Sequence, residues 1–182
     1  MRLSPRGGSM AETKEEAMAT NVLVAYASKH GTTREVAESI AATLRQLGLD
    51  VEIEEAGRVR DIARYDALVV GGGLYTGKWH ADARHLLKRH RHELAERRLA
   101  VFGMGPDSLD ESKVAESRQQ LERALSATPE LEPIAVTIFG GALKPESLRF
   151  PLNRLPAFDA RDWDAIRSWA TDVAAKLTPV AV

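Results

Sequence analysis

The chain has no cysteine in its 182 residues, which excludes disulfides, thiolate-held zinc, iron–sulfur clusters and thiol redox chemistry. If it carries out redox chemistry, its electron carrier must be borrowed. It also lacks any apolar run near the roughly 18 residues needed to cross a bilayer, and its first twenty residues hold no apolar secretory stretch. Excess charge of one sign is missing too: Lys+Arg 25 against Asp+Glu 26 gives a formal net charge of -1, so no global field draws the chain to nucleic acid or anionic lipid. No nucleophile elbow, paired-carboxylate motif or zinc signature is present, which counts against a hydrolase. Those absences favour a cytoplasmic protein.

What remains is the composition of one ordinary globular domain, 44% hydrophobic and 28% charged, long enough to bury a core without staples. Residues 1–20 are polar and weakly patterned and read as a disordered leader or an expression remnant. The expected domain runs over 21–178. From Val22 onward, short continuous apolar runs alternate with stretches of helical spacing. The runs 22–27, 51–55, 66–72, 99–105 and 133–141 read as five strands. Helices are expected over 33–47, 80–96, 111–127 and 159–177, with a short helical turn near 58–64 and a Ser108-to-Glu111 capping box before the third. Alternation of this kind gives an α/β fold with a doubly wound parallel sheet, whose ligands bind beyond the carboxyl ends of the strands.

The first such end carries the clearest chemistry. Ser28-Lys29-His30-Gly31-Thr32-Thr33 leaves a buried strand and enters a helix, so backbone N–H groups and the positive helix end converge on one point, where a phosphate fits. Ser28, Thr32 and Thr33 add hydroxyls and Gly31 permits a conformation closed to other residues. His30 is either a further phosphate contact or an exposed loop histidine. The loop is neither a Walker loop nor a GxGxxG fingerprint, and a monophosphate suits it best.

VLVAYASKHGTTREVAESIA resembles the first βα unit of flavodoxin-like proteins, and the resemblance extends over about residues 21–178. It implies a three-layer α/β/α sandwich, strand order 2-1-3-4-5, and FMN as cofactor. YDALVVGGGLYTGKWH, FGMGP and FGGALKP are more similar to the menaquinone-dependent protoporphyrinogen IX dehydrogenases than to carrier flavodoxins. By that resemblance Gly72, Gly73, Leu74, Tyr75, Thr76, Gly77 and Lys78 line the flavin, with Tyr75 or Trp79 offering a ring to stack on it. Met104, Gly105 and Pro106 lie across its other face, and Gly140 and Gly141 stand beside it. The segment 144–156 is shorter than the insertion associated with well-known members.

The function implied is an FMN-dependent oxidoreductase of haem biosynthesis. It would take electrons from protoporphyrinogen IX, a small-molecule substrate, and pass them to a quinone at a membrane surface. The alternative is an electron carrier that docks on redox partner proteins. Residues 84–98 concentrate cations on one helix, read either as an anion-attracting surface or as a solvated face. Neither nucleic-acid binding nor a metal site is expected, since His85, His90 and His92 lack the spacing that puts two ligands on one helical face.

Overall fold

The computed structural model describes residues 19–178, so the expectation for residues 1–18 lies outside the described residues. Five parallel strands form the sheet: β1 (Asn21–Ala27), β2 (Asp50–Glu55), β3 (Ala67–Tyr75), β5 (Arg98–Met104) and β6 (Ala135–Phe139), in the order β2-β1-β3-β5-β6. A two-residue strand, β4 (Lys78–Trp79), folds back antiparallel on the end of β3. With that short strand set aside, the order is the 2-1-3-4-5 expected from the sequence. The helices are α1 (Thr32–Gln46), α2 (Ala81–Arg89), α3 (Arg91–Leu94), α4 (Glu111–Leu125) and α5 (Trp163–Leu177). A small antiparallel pair, β7 (Ala142–Leu143) with β8 (Phe158–Asp159), closes an arm over residues 144–157.

Strand periodicity divides the core. Successive side chains point to opposite faces, so Val22, Val24 and Tyr26 join one cluster and Leu23, Ala25 and Ala27 the other. The first face packs on Val36, Ile40 and Leu44 of α1 and on Ile166, Ala170 and Val173 of α5. The second packs on Leu86 and Leu87 of α2, Leu94 of α3 and Leu121 of α4. Being covered on both sides, β1, β3 and β5 are apolar at nearly every residue, while edge strand β2 turns Glu52, Glu54 and Glu55 toward solvent.

One contact explains a glycine at the sheet centre. Gly71 pairs with Phe102, and a Cβ at Gly71 would lie 1.9 Å from the Phe102 ring. Phe102 then packs at 5.6 Å from Phe139 and 6.1 Å from Trp169, a cluster that ties β5, β6 and α5 together.

Several local expectations need correction. The helix expected over 80–96 is interrupted at His90 (φ −104°, ψ 18°), where Arg91 Nη1 donates to the Lys88 carbonyl at 3.0 Å and caps the last turn of α2. The turn expected near 58–64 is a 3-10 turn at Ala56–Arg58. The capping box does not form: α4 starts at Glu111 itself, and the Ser108 hydroxyl donates to Asp110 at 2.7 Å instead. Residues 159–162 are not helical, and the Asp162 carboxylate caps α5 by accepting from Ala165 N at 3.0 Å.

Candidate functional site

In this strand order the chain leaves β1 for the β2 edge and returns to β3 on β1's other side, so the connections diverge above β1 and β3. A crevice opens at such a reversal, beyond the strands' carboxyl ends. The loop between β1 and α1 sits at its base. Gly31 takes φ 83°, in the left-handed region, and its N–H donates to Ser28 Oγ at 2.9 Å. No side chain caps α1, so the N–H groups of its first turn, which have no intrahelical acceptor, remain available to an anion. Thr32 and Thr33, the first two residues of α1, are buried.

The second wall differs from a glycine loop. Gly71, Gly72 and Gly73 belong to β3, which continues to Tyr75 and turns through Thr76 (φ 48°) and Gly77 (φ 77°) into β4. Both turn residues at positive φ make the two-residue hairpin whose twist matches the strands. Trp79 is 1% exposed and donates from Nε1 to the Gly72 carbonyl at 3.1 Å, so it anchors the hairpin and cannot stack on a ligand. Tyr75 is the aromatic at the crevice. Its ring lies across Gly73, where a Cβ would come within 2.5 Å of it, and its hydroxyl accepts from Lys29 N at 3.4 Å.

Lys29 Nζ stands 4.6 Å from the Tyr75 ring centroid, and the rings of His30 and His80 meet Tyr75 edge-on at 6.5 and 6.0 Å. Burial raises the Tyr75 phenol above its ordinary pKa. Desolvation lowers that of His80, against the pull of Asp82 and with help from Lys29 and Arg84. The His80 Nδ1 accepts from Asp82 N at 3.1 Å, which fits a neutral ring capping α2.

The ends of β5 and β6 make the third wall and are zipped together. Gly105 N donates to the Phe139 carbonyl at 3.2 Å, Gly141 N to Pro106 at 2.8 Å, and Ala160 N to Gly141 at 2.9 Å. Gly140 faces away from the crevice, since a Cβ there would lie 1.9 Å from the Ala160 carbonyl oxygen.

A cavity of about 170 Å³ lies where the walls meet. His30, Thr32 and Thr33 reach it from the first loop, Gly73, Leu74 and Tyr75 from β3, and Met104, Gly105 and Gly141 from the third wall. An adjoining cleft of about 330 Å³ shares Leu74 and Gly105 with it and takes in Thr76, Gly77 and Pro106. Ser28, Lys29 and Gly31 do not line either space. Lys78 sits exposed in β4, and Gly72 is held inside the sheet. Three further lining residues, Ala142, Leu143 and Phe158, come from the β7–β8 pair. Phe158 escaped the sequence reading because only the return of the arm, after a Pro-rich stretch, brings it to the crevice. A larger open groove of about 650 Å³ runs between Asp107–Leu109 and residues 159–167, and shares no residue with the first loop.

The matched family is described as a flavodoxin domain and covers residues 23–154. The chain belongs to that family. A curated relative, protoporphyrinogen IX dehydrogenase [quinone] of Escherichia coli strain K12, is 22% identical over 124 residues, 67% of this chain and 68% of the relative. Oxidised flavodoxin 2 of Bacillus cereus has a similar structure, with TM-score 0.61 and 22% identity over 86% of this chain and 99% of that one. A Fusobacterium nucleatum flavodoxin bound to flavin mononucleotide aligns with TM-score 0.50 and 14% identity, covering 87% of this chain and 99% of its own.

Proposed function

We propose that the chain binds FMN in this crevice and works as an FMN-dependent oxidoreductase. The observation that carries the cofactor reading is the convergence of the uncapped α1 N-terminus, the Tyr75-covered end of β3 and the zipped ends of β5 and β6 on one cavity. The anion-binding half and the apolar half lie side by side, which suits a phosphate joined to a flat ring. Ser28, Lys29, His30, Gly31, Thr32 and Thr33 would hold the phosphate. Gly73, Leu74, Tyr75, Met104, Gly105 and Gly141 would bound the ring, with Gly72, Thr76, Gly77, Lys78, Pro106 and Gly140 supporting those walls. The flavin, when bound, supplies the hydride and electron chemistry. The chain's part is to orient the ring between the Tyr75-covered end of β3 and the zipped third wall and to exclude water from one face.

The substrate reading, protoporphyrinogen IX as donor and a quinone as acceptor, draws on the likeness to the Escherichia coli dehydrogenase. An exposed apolar arm adds to it. Phe150, Leu152 and Leu155 are 69%, 53% and 46% exposed on the 144–157 segment, whose β7 and β8 ends line the cavity. An arm of that character suits an apolar acceptor arriving from a lipid surface. No helix among the described residues is long and apolar enough to cross a membrane. The second reading, a carrier that docks on redox partner proteins, is favoured by the likeness in structure to flavodoxins along nearly their whole length.

The experiment is a visible spectrum of the purified protein followed by anaerobic addition of protoporphyrinogen IX. Flavin absorbance that bleaches on addition supports the enzyme. A protein that is colourless and takes up no FMN overturns the cofactor reading. Bound flavin that stays oxidised overturns the substrate reading and leaves the carrier.

A further inference from the structure

Arg161 follows β8 at the edge of the larger groove and buries its guanidinium between the first turn of α1 and the end of the arm, with the side chain only 4% exposed. Its Nε and Nη2 donate to the two Asp159 carboxylate oxygens at 2.9 and 2.7 Å, a bidentate fork. Its Nη1 donates to the Glu35 carboxylate and lies 3.5 Å from the Thr32 carbonyl. Trp163 covers it, with its ring centroid 4.9 Å from the guanidinium carbon. Glu35 also accepts from Lys144 Nζ at 2.8 Å. Asp159 in turn sits opposite Ala142 in the β7–β8 pair, beside the cavity.

Glu35 stands in the first turn of α1, directly after the loop that offers its N–H groups to an anion. A carboxylate there suits the helix dipole while the loop is empty, but it opposes a phosphate brought to the same turn. Two cations from the far end of the chain, Arg161 and Lys144, offset that charge. We propose that Arg161 is a positioning residue for the flavin phosphate: it neutralises Glu35 in the helical turn that follows the phosphate loop and, through Asp159, fixes the arm that closes the ring half of the site. The inference rests on the FMN reading and deepens it. Hydrogen bonds from Arg161 and then Lys144 hold the Glu35 carboxyl below its ordinary pKa, so the charge to be offset is present throughout the neutral range.

The electrostatic role predicts a phosphate-specific effect, which simple loosening of the fold would not produce. The test titrates the flavin-free full-length chain with FMN and with riboflavin, following quenching of flavin fluorescence, in the wild type, R161Q, E35Q and the double variant. R161Q should lower FMN affinity about tenfold or more while riboflavin changes less than about threefold, tenfold being about 1.4 kcal/mol. E35Q alone should leave the FMN-to-riboflavin ratio unchanged or raised. The double variant should restore that ratio to within about threefold of the wild type. Equal losses for both flavins in R161Q, or a ratio that the double variant fails to restore, overturns the proposal. Should R161Q not fold, K144Q removes the exposed second cation and must lower the same ratio; an unchanged ratio overturns the proposal. A wild-type chain that binds neither flavin overturns the cofactor reading and this inference together, which tells the two failures apart.

Discussion

The Tyr75 hydroxyl accepts a hydrogen bond from the Lys29 backbone N–H, across 46 residues of sequence, so the end of β3 is latched to the loop at the end of β1. At 3.4 Å this is a long bond, and the larger contribution of Tyr75 is its ring, which covers Gly73. Tyr75→Phe keeps the ring and should change FMN affinity less than about threefold. Tyr75→Ala uncovers Gly73 and should weaken FMN by roughly tenfold, the scale of a lost aromatic stack. Flavin fluorescence titration separates the two.

Gly31 gives a test of backbone conformation apart from space. A Cβ there would meet nothing within 4 Å, yet φ is 83°. Gly31→Ala should therefore cost about 1–2 kcal/mol through left-handed strain alone, while Gly31→Asn, which tolerates that region, should cost less. Urea unfolding of the two variants checks the order, and equal losses would remove strain as the cause.

The legible parts of the molecule were those set by local pattern. The runs 22–27, 66–72 and 99–105 announce doubly covered strands because every position but Asp66 is apolar or glycine, and the Ser28–Thr33 loop falls at a strand end by pattern alone. The hairpin after Gly73 was not legible. Three glycines followed by Thr76-Gly77 read as an open loop, and the pairing of Leu74 with Trp79 appears only once the chain doubles back. The Ser108-to-Glu111 spacing misled because the Asp110 carboxylate competes for the Ser108 hydroxyl. Arg161 could not be connected with Glu35 from pattern at all, since 126 residues separate them and only the packing of α5 on α1 brings them together.

Gly71→Ala tests the close approach at the centre of the sheet. The added methyl meets the Phe102 ring at 1.9 Å, and that ring is locked against Phe139 and Trp169. Overpacking of this kind costs about 1–3 kcal/mol or more. The expected result is a lower urea midpoint, partly recovered in the double variant with Phe102→Leu, whose smaller side chain yields room. Failure of the double variant to recover stability would show that the strain lies in the β3 backbone rather than in the ring contact.

Glu35, Asp159 and His80 all contribute stability that is lost toward acid pH, and their signs agree. Glu35 and Asp159 are both held below their ordinary values, first of all by hydrogen bonds from Arg161. Their contribution is complete above the unfolded carboxylate range, near 4.5 for Glu and 3.8 for Asp, and is lost as pH falls through the lowered folded values. His80 acts at higher pH. Burial lowers its pKa from 6.5, so below that value the unfolded chain binds a proton that the folded chain refuses, and stability declines as pH drops. Urea unfolding between pH 8 and pH 3 should therefore show an early loss beginning near the ordinary histidine range and a later loss below the carboxylate range. His80→Asn keeps an acceptor for the Asp82 N–H and should remove only the early loss. Glu35→Gln should diminish only the later one, and an early loss that persists in His80→Asn would assign it to a different histidine.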